Sequence, residues 1–433
     1  MTTSLHMRRL GAAAFLAAAL LLAPGAVRAA SLVVAPGGEN LRQAIAASQP
    51  GDILQLAPGL HLGPIRIDHP LTLQGEPGAV LDGQGQGRTI EVTSPDETIR
   101  GLLIRRSGST DPMDAAVFLE QGASRATVAQ NEIRDSLVGV YVHGAADALV
   151  ENNRIVGRTD LRVNERGNGV YVWNAPGAKV IGNDITGGRD GIFTNASRNN
   201  LFRGNRIEGA RFAIHYMYTN DSEVSDNLSR GNHAGFVIMY SNRLVVRGNV
   251  SADDRDHGLL FNYANEARIE DNIVQRSEKC VFIYNANKNL FRNNWFEGCS
   301  IGIHFTAGSE RNQMTGNAFV HNRTQVMYVG TRSLDWSQDG RGNYWSDNPG
   351  FDLNGDGIAD TAYRPNDIVD KVVWTYPTAK LLINSPSVQV IGWAQSEFPA
   401  MHPGGIVDSA PLMSPPADLA ARAARAGNME AGQ

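Results

Sequence analysis

Short apolar runs alternate with polar residues along most of the chain, and they recur at a near-constant interval. Asparagines mark the repeat: Asn131, Asn153, Asn183, Asn205, Asn227, Asn249, Asn272, Asn294 and Asn317 stand 22 or 23 residues apart, with one interval of 30. Three positions before each asparagine stands a large apolar residue such as Val128, Val180 or Phe291. Two positions after it stands another, such as Ile133, Ile185 or Phe296, with Ser229 and Ser251 as exceptions. A second apolar strand follows, usually opened by glycine, as in Gly139-Val-Tyr-Val and Gly235-Phe-Val-Ile. Period-two alternation with Gly, Asn and Asp between the runs is a strand signal, and no helical period competes with it.

A repeat of this length sustained from Asn131 to Asn317 predicts a solenoid. Short strands and tight turns make it all-β: a right-handed parallel β-helix of pectate-lyase type, with an N-terminal helical cap and a C-terminal extension. Coils of such a fold stack about 4.8 Å apart, so equivalent residues lie above one another. The asparagines then form a ladder at a turn, trading amide hydrogen bonds along the axis and tolerating left-handed backbone. That ladder reads as scaffold. The one longer interval places a surface loop near Arg158–Gly167, and Glu39–Ser48 reads as an amphipathic cap before weaker coils from Asp52 to about Arg106. The solenoid spans 30–345. Segments 346–377, 378–413 and an Ala/Pro/Gly-rich, flexible 414–433 follow.

The register sorts the second strand into inside and outside. The first and third residues after the opening glycine face inward, and the second and fourth face outward. The outward set includes Tyr171, Trp173, Phe193, His215, Met217, Met239, Tyr284, His304 and Met327. A solvated face is mainly polar, whereas this one is aromatic, aliphatic, Met and His, as a binding face is. Its occupant is either the chain's own C-terminal segment folded back or a partner or ligand. Met217 and Met239 fall on adjacent coils, two residues from His215 in the first case, and thioether with imidazole suits Cu(I). The competing reading is that these methionines simply fill space.

Charge and leader narrow the setting. The 433 residues carry a net charge of −5 and no basic tract, which excludes nucleic acid as a partner. Arg8 and Arg9 precede the apolar run Leu10–Leu22, and Val27-Arg28-Ala29 suits cleavage after Ala29, so residues 1–29 read as a secretory signal. No later segment is apolar enough to span a membrane. Cys280 and Cys299 sit at different places in their coils, so pairing is not expected.

Catalytic signals are weak. Asp111-Pro-Met-Asp114 resembles the Asp-Pro-His-Asp motif of alginate C5-epimerases, but Met113 replaces the histidine. Asp253, Asp254 and Asp256 are close in sequence, yet an Asp-rich turn is not a pair of facing carboxylates. No catalytic residues are assigned. Asp352, Asn354, Asp356, Ile358 (through its carbonyl) and Asp360 have the spacing of a structural Ca²⁺ loop, with glycine at its sixth position. Tyr363 stands where a bidentate Glu belongs, leaving Asp367 or Asp370 as substitutes and an unmetallated Asp/Gly turn as the alternative.

Together the signal, the asparagine coils, Gly342-Asn-Tyr-Trp-Ser-Asp347, the Asp352–Asp360 loop, Pro377-Thr-Ala-Lys-Leu-Leu-Ile-Asn-Ser-Pro386 and Val407-Asp-Ser-Ala-Pro-Leu-Met413 resemble the NosD family. The resemblance implies a periplasmic, non-catalytic factor for maturation of nitrous oxide reductase. It implies copper as a transient cargo, a link to sulfur supply, and three partners: a membrane ABC transporter, a copper chaperone lipoprotein and the reductase. On this reading residues from about Thr378 to Met413 dock to the transporter and hold the protein peripherally at the inner membrane. The alternatives are a carbohydrate-binding or uronate-modifying β-helix, with Tyr171, Trp173 and Phe193 stacking on sugar rings, and a purely structural envelope protein.

Overall fold

The computed structural model describes residues 29–428 except 307, 331, 367, 383–384 and 399–404. The signal segment 1–28 and Asp367 therefore lie outside the described residues. Three parallel sheets wind around one axis. Sheet A runs from Ser31–Val34 to Gln313–Thr315, sheet B from Gly59–Leu62 to Tyr344–Trp345, and sheet C from Ile65–Ile67 to Thr324–Val329. This is the expected right-handed parallel β-helix. Helix α1 (Asn40–Ala47) caps the first coils by burying Leu41 and Ile45. The loop after Arg158 contains a short 3-10 turn, Val163–Glu165.

Each coil contributes three strands rather than the two its apolar pattern suggests. The ladder asparagine sits at the corner where the chain leaves sheet A for sheet B, as between Leu201–Arg203 and Arg206–Glu208. It does not itself take the left-handed conformation. That falls on the residue before it, for example Asn152 (φ 52°), Gly204 (φ 65°) and Asp226 (φ 56°). The asparagine is needed for its amide. Asn205 donates from its backbone N and from Nδ2 to Asn227 Oδ1, both at 2.9 Å, and Nδ2 also reaches Val180 O. Every donor is thus used in a site 1% exposed, where an unmet donor costs about 1–3 kcal/mol.

The ladder runs one coil further than the sequence repeat, to Asn343, and ends on Asp408 from the C-terminal extension. Ile406 and Leu412 are buried there, and Leu412 bridges to both Tyr344 and Ile358. Residues 414–433, expected as a flexible end, instead contain helix α2 (Ala417–Asn428). Its Leu419, Ala423 and Ala426 pack on the outer side of sheet B against Ile273, Trp295 and Val320.

The core holds two further departures. Cys280 and Cys299 are joined by a disulfide, with Cα atoms 5.7 Å apart. Ser277 and Cys299 occupy stacked turn positions, with Ser277 N facing Cys299 Sγ at 3.4 Å. Cys280 opens the adjoining strand of the same coil as Ser277, so one coil's rise brings the two sulfurs together. The exceptional Ser229 and Ser251 also find a reason. Both hydroxyls donate to Asp254 Oδ2, a carboxylate buried inside the solenoid.

Candidate functional site

The alternation in sheet C sorts as expected. Val140, Val142, Ile214, Tyr216 and Ile238 join the main core, while Tyr141 and Phe118 belong to a separate cluster on the outer face. Along that face runs a column of rings one coil apart: Tyr141 to Tyr171 at 4.4 Å, Tyr171 to Phe193 at 4.9 Å and Phe193 to His215 at 4.8 Å, all stacked. Phe118 closes the lower end, with the Arg88 guanidinium 3.6 Å above its ring. Trp173 stacks on His143 in a neighbouring column, 4.4 Å away. Tyr171, Trp173 and Phe193 are therefore one neighbourhood. Tyr284, His304 and Met327 form another at the far end, where His304 pairs in register with Met327 and meets Phe282 edge-on.

His215 stands at the upper end of the ring column. Its Nδ1 lies 3.0 Å from Asp190 Oδ2. Arg211 donates to both oxygens of Asp190 at 2.8 and 2.7 Å. Burial pushes the Asp190 carboxyl up, but hydrogen bonds from His215 and Arg211 outweigh it and hold the group below the usual carboxylate range. Phe212 packs edge-on against the imidazole at 5.2 Å. His215 Nε2 is buried and has no hydrogen-bond partner among the described residues. Two residues on, Met217 pairs in register with Met239, and both are half-buried. The three residues proposed from sequence as soft-metal ligands thus share one outward patch.

That donor set fits copper. Among the described residues no three His, Cys, Asp or Glu side chains are grouped as a metal cage. The patch instead carries one imidazole and two thioethers, soft donors of the kind Cu(I) takes. At the far end, burial and the nearby Lys279 ammonium push His257 and His304 down to about 4. A cation beside those imidazoles opposes a metal ion, so the two ends of the face are not equivalent.

The Ca²⁺ loop does not assemble as expected. Asp352 accepts from the backbone of Gly355 and Gly357, Asp356 from Ile358 N, and Asp360 from Leu353 N. Asn354 Oδ1 accepts from Asp356 N. The side chains serve as Asx-turn acceptors for their own loop, and their carboxylates are not grouped around a cation position. Asp111 and Asp114 likewise hold a local turn, accepting from Met113 N and from Thr110 N and Asp111 N. Asp253 and Asp256 pair with Arg276 and Arg255, while Asp254 is enclosed.

Sequence reasoning missed Asp190 and Arg211. The signal was available: Asp190 occupies a place that adjacent coils fill with Phe212 and Ala234. It also missed a second row, Tyr218, Tyr240 and Tyr263, stacked at 5.0 and 5.2 Å and exposed beside the methionines. Their constant offset after Met217, Met239 and Asn262 was visible in the repeat.

Residues 151–350 match the family model described as "NosD: Periplasmic copper-binding protein (NosD)". A "Probable ABC transporter binding protein NosD" from Stutzerimonas stutzeri is 41% identical over 84% of this chain and 87% of its own length. One of the same description from Pseudomonas aeruginosa is also 41% identical, over 84% of this chain and 88% of its own. Among solved structures, the Dettilon tailspike protein superposes with a TM-score of 0.55 at 13% identity, covering 68% of this chain and 64% of its own. That similarity concerns the fold alone.

Proposed function

The chain belongs to the NosD family, and from that premise we propose that it is a periplasmic accessory protein in assembly of the copper centres of nitrous oxide reductase. It carries Cu(I) as cargo on the outer face of sheet C and works beside an ABC transporter. The observation that carries this reading is the buried His215 Nε2, without a partner among the described residues, on the strand whose Met217 pairs in register with Met239. Two thioethers and an imidazole favour Cu(I) over the harder divalent ions, and the half-buried methionines leave the ion open to transfer. We assign the ring column to the protein partners, a copper chaperone lipoprotein and the reductase. For the transporter we assign the helical segment before residue 399, where Tyr376, Leu381, Val390 and Phe398 are exposed. Exposed apolar side chains gathered in one segment offer a partner a contact surface. Within the expected docking segment, we leave residues 405–413 out of this assignment, because Asp408 and Leu412 already pair with the last coil.

Cu(I) titration of the mature protein against a chromophoric chelator tests the cargo site. One equivalent is expected to bind, and His215→Ala or Met217→Ala with Met239→Ala should weaken it at least tenfold and impair reductase maturation. Equal affinity in all three proteins would remove the site.

The carbohydrate reading is disfavoured by ring geometry. Sugar stacking needs an open aromatic face, whereas Tyr171 and Phe193 each have both neighbours stacked at under 5 Å. We also read the chain as non-catalytic, because the carboxylates considered for chemistry are spent on turns, ion pairs and the interior. A glycan array and a uronate turnover assay are expected to be blank.

A further inference from the structure

We infer that Asp190 is a positioning residue: it fixes the His215 proton on Nδ1, leaves Nε2 bare, and so selects this imidazole as the soft-metal ligand of the face. The consequence for copper rests on the reading above, but the proton's place is a property of the metal-free protein. Asp190 is a buried carboxylate and can only accept, so the Nδ1 facing it at 3.0 Å carries the hydrogen. Arg211 grips both carboxylate oxygens and prevents Asp190 from turning away. Phe193 covers one face of the imidazole and Phe212 meets it edge-on, which removes the ring's remaining freedom. What is left is the lone pair on Nε2, which has no hydrogen-bond partner among the described residues.

Other histidines on the face lack this arrangement. His143 Nδ1 is 3.8 Å from Glu120, beyond hydrogen-bond reach. His304 Nδ1 is buried without a partner, so nothing fixes its tautomer. A carboxylate behind a metal-binding imidazole orients the ring and raises its basicity, and its loss typically weakens metal binding about 10–100-fold.

The test uses the mature protein with ¹⁵N-labelled histidine. Two-bond ¹H–¹⁵N correlation, with His215 assigned through His215→Gln, is expected to show the Nδ1–H tautomer in metal-free wild type. Asp190→Asn should introduce the Nε2–H form and weaken Cu(I) binding about 10–100-fold in chelator competition. An Nε2–H signal in wild type would overturn the inference, and that measurement needs no variant to fold. So would an Asp190→Asn protein that changes tautomer yet binds Cu(I) like wild type while His215→Gln binds weakly. If His215→Gln itself binds Cu(I) unchanged, the copper reading fails, while the tautomer comparison still decides what Asp190 does to the ring. Arg211→Gln, read by the same two measurements, is expected to give a partial effect and serves if Asp190→Asn does not fold.

Discussion

Asp408 Oδ2 terminates the asparagine ladder: it accepts from Asn343 N at 2.7 Å and from Asn343 Nδ2 at 3.1 Å, and from Trp345 Nε1 at 2.8 Å. Every ladder asparagine points its backbone N–H and one amide hydrogen toward the next coil, so the last one needs an acceptor that no further coil supplies. A carboxylate, which has no hydrogen to clash with three donors, meets that need. Asp408→Ala strands those donors in a buried site and is expected to lower unfolding stability by about 3 kcal/mol or more. Asp408→Asn, which keeps one oxygen, should cost less. Urea denaturation of the mature protein separates them, and equal midpoints for wild type and Asp408→Ala would refute this role.

Asp254 gives a pH dependence of defined sign. Burial pushes its pKa to about 6, with hydrogen bonds from Ser229 and Ser251 offsetting only part of the shift. A carboxyl raised in the folded state binds more protons folded than unfolded, so its contribution falls as pH rises from about 4 to about 6. The upper bound on that loss is about 3 kcal/mol. Asp254→Asn should flatten this part of the stability–pH curve and leave the protein more stable than wild type at pH 7. A variant curve parallel to wild type across the window would count against it. Glu97, pushed up to about 7 mainly by burial, acts in the same sense at somewhat higher pH and serves as an internal comparison.

Helix α2 packs against Trp295, which is buried beneath it. Truncation after Met413 is expected to red-shift tryptophan emission and to cost about 2–5 kcal/mol, the range for losing buried aliphatic contacts. An unchanged spectrum and midpoint would show that the helix is not docked in solution.

The disulfide joins cysteines 19 residues apart in sequence. Closing a loop of that size stabilises by about 3 kcal/mol through the unfolded chain. Cys280→Ala with Cys299→Ala should therefore lower the urea midpoint while leaving Cu(I) binding unchanged, since neither cysteine faces the sheet C exterior.

Calcium should have no effect. The Asp352–Asp360 carboxylates already accept from their own loop. Melting temperature in millimolar Ca²⁺ and in EDTA is expected to agree within error, and a rise of several degrees with Ca²⁺ would restore the metal loop.

The legible parts of this molecule are those that repeat. Spacing fixed the ladder, and the ladder's register placed Val142 inside and His215, Met217 and Met239 outside. What escaped were contacts made once. Asp408 meets Asn343 across 65 residues with no periodic cue. Cys280 and Cys299 stand at unlike positions in their coils and still meet, because one turn lies above another. Helix α2 is half alanine, a composition shared by flexible ends, and its docking against Trp295 distinguishes the two. Asp190 was overlooked because its register column mixes Phe212, Ala234, His257 and Lys279, so one acidic residue there resembles ordinary variation until His215 appears beside it.

The one-way sense of the ladder also gives the molecule a beginning and an end in time. A chain emerging N-terminus first winds each coil with a pair of amide donors left open at its growing edge. The following coil closes that pair and opens another. The last pair waits for residue 408, so an incomplete chain differs from a finished one by an uncapped, hydrogen-bond-hungry edge. Closure of the solenoid is thus written into a single carboxylate.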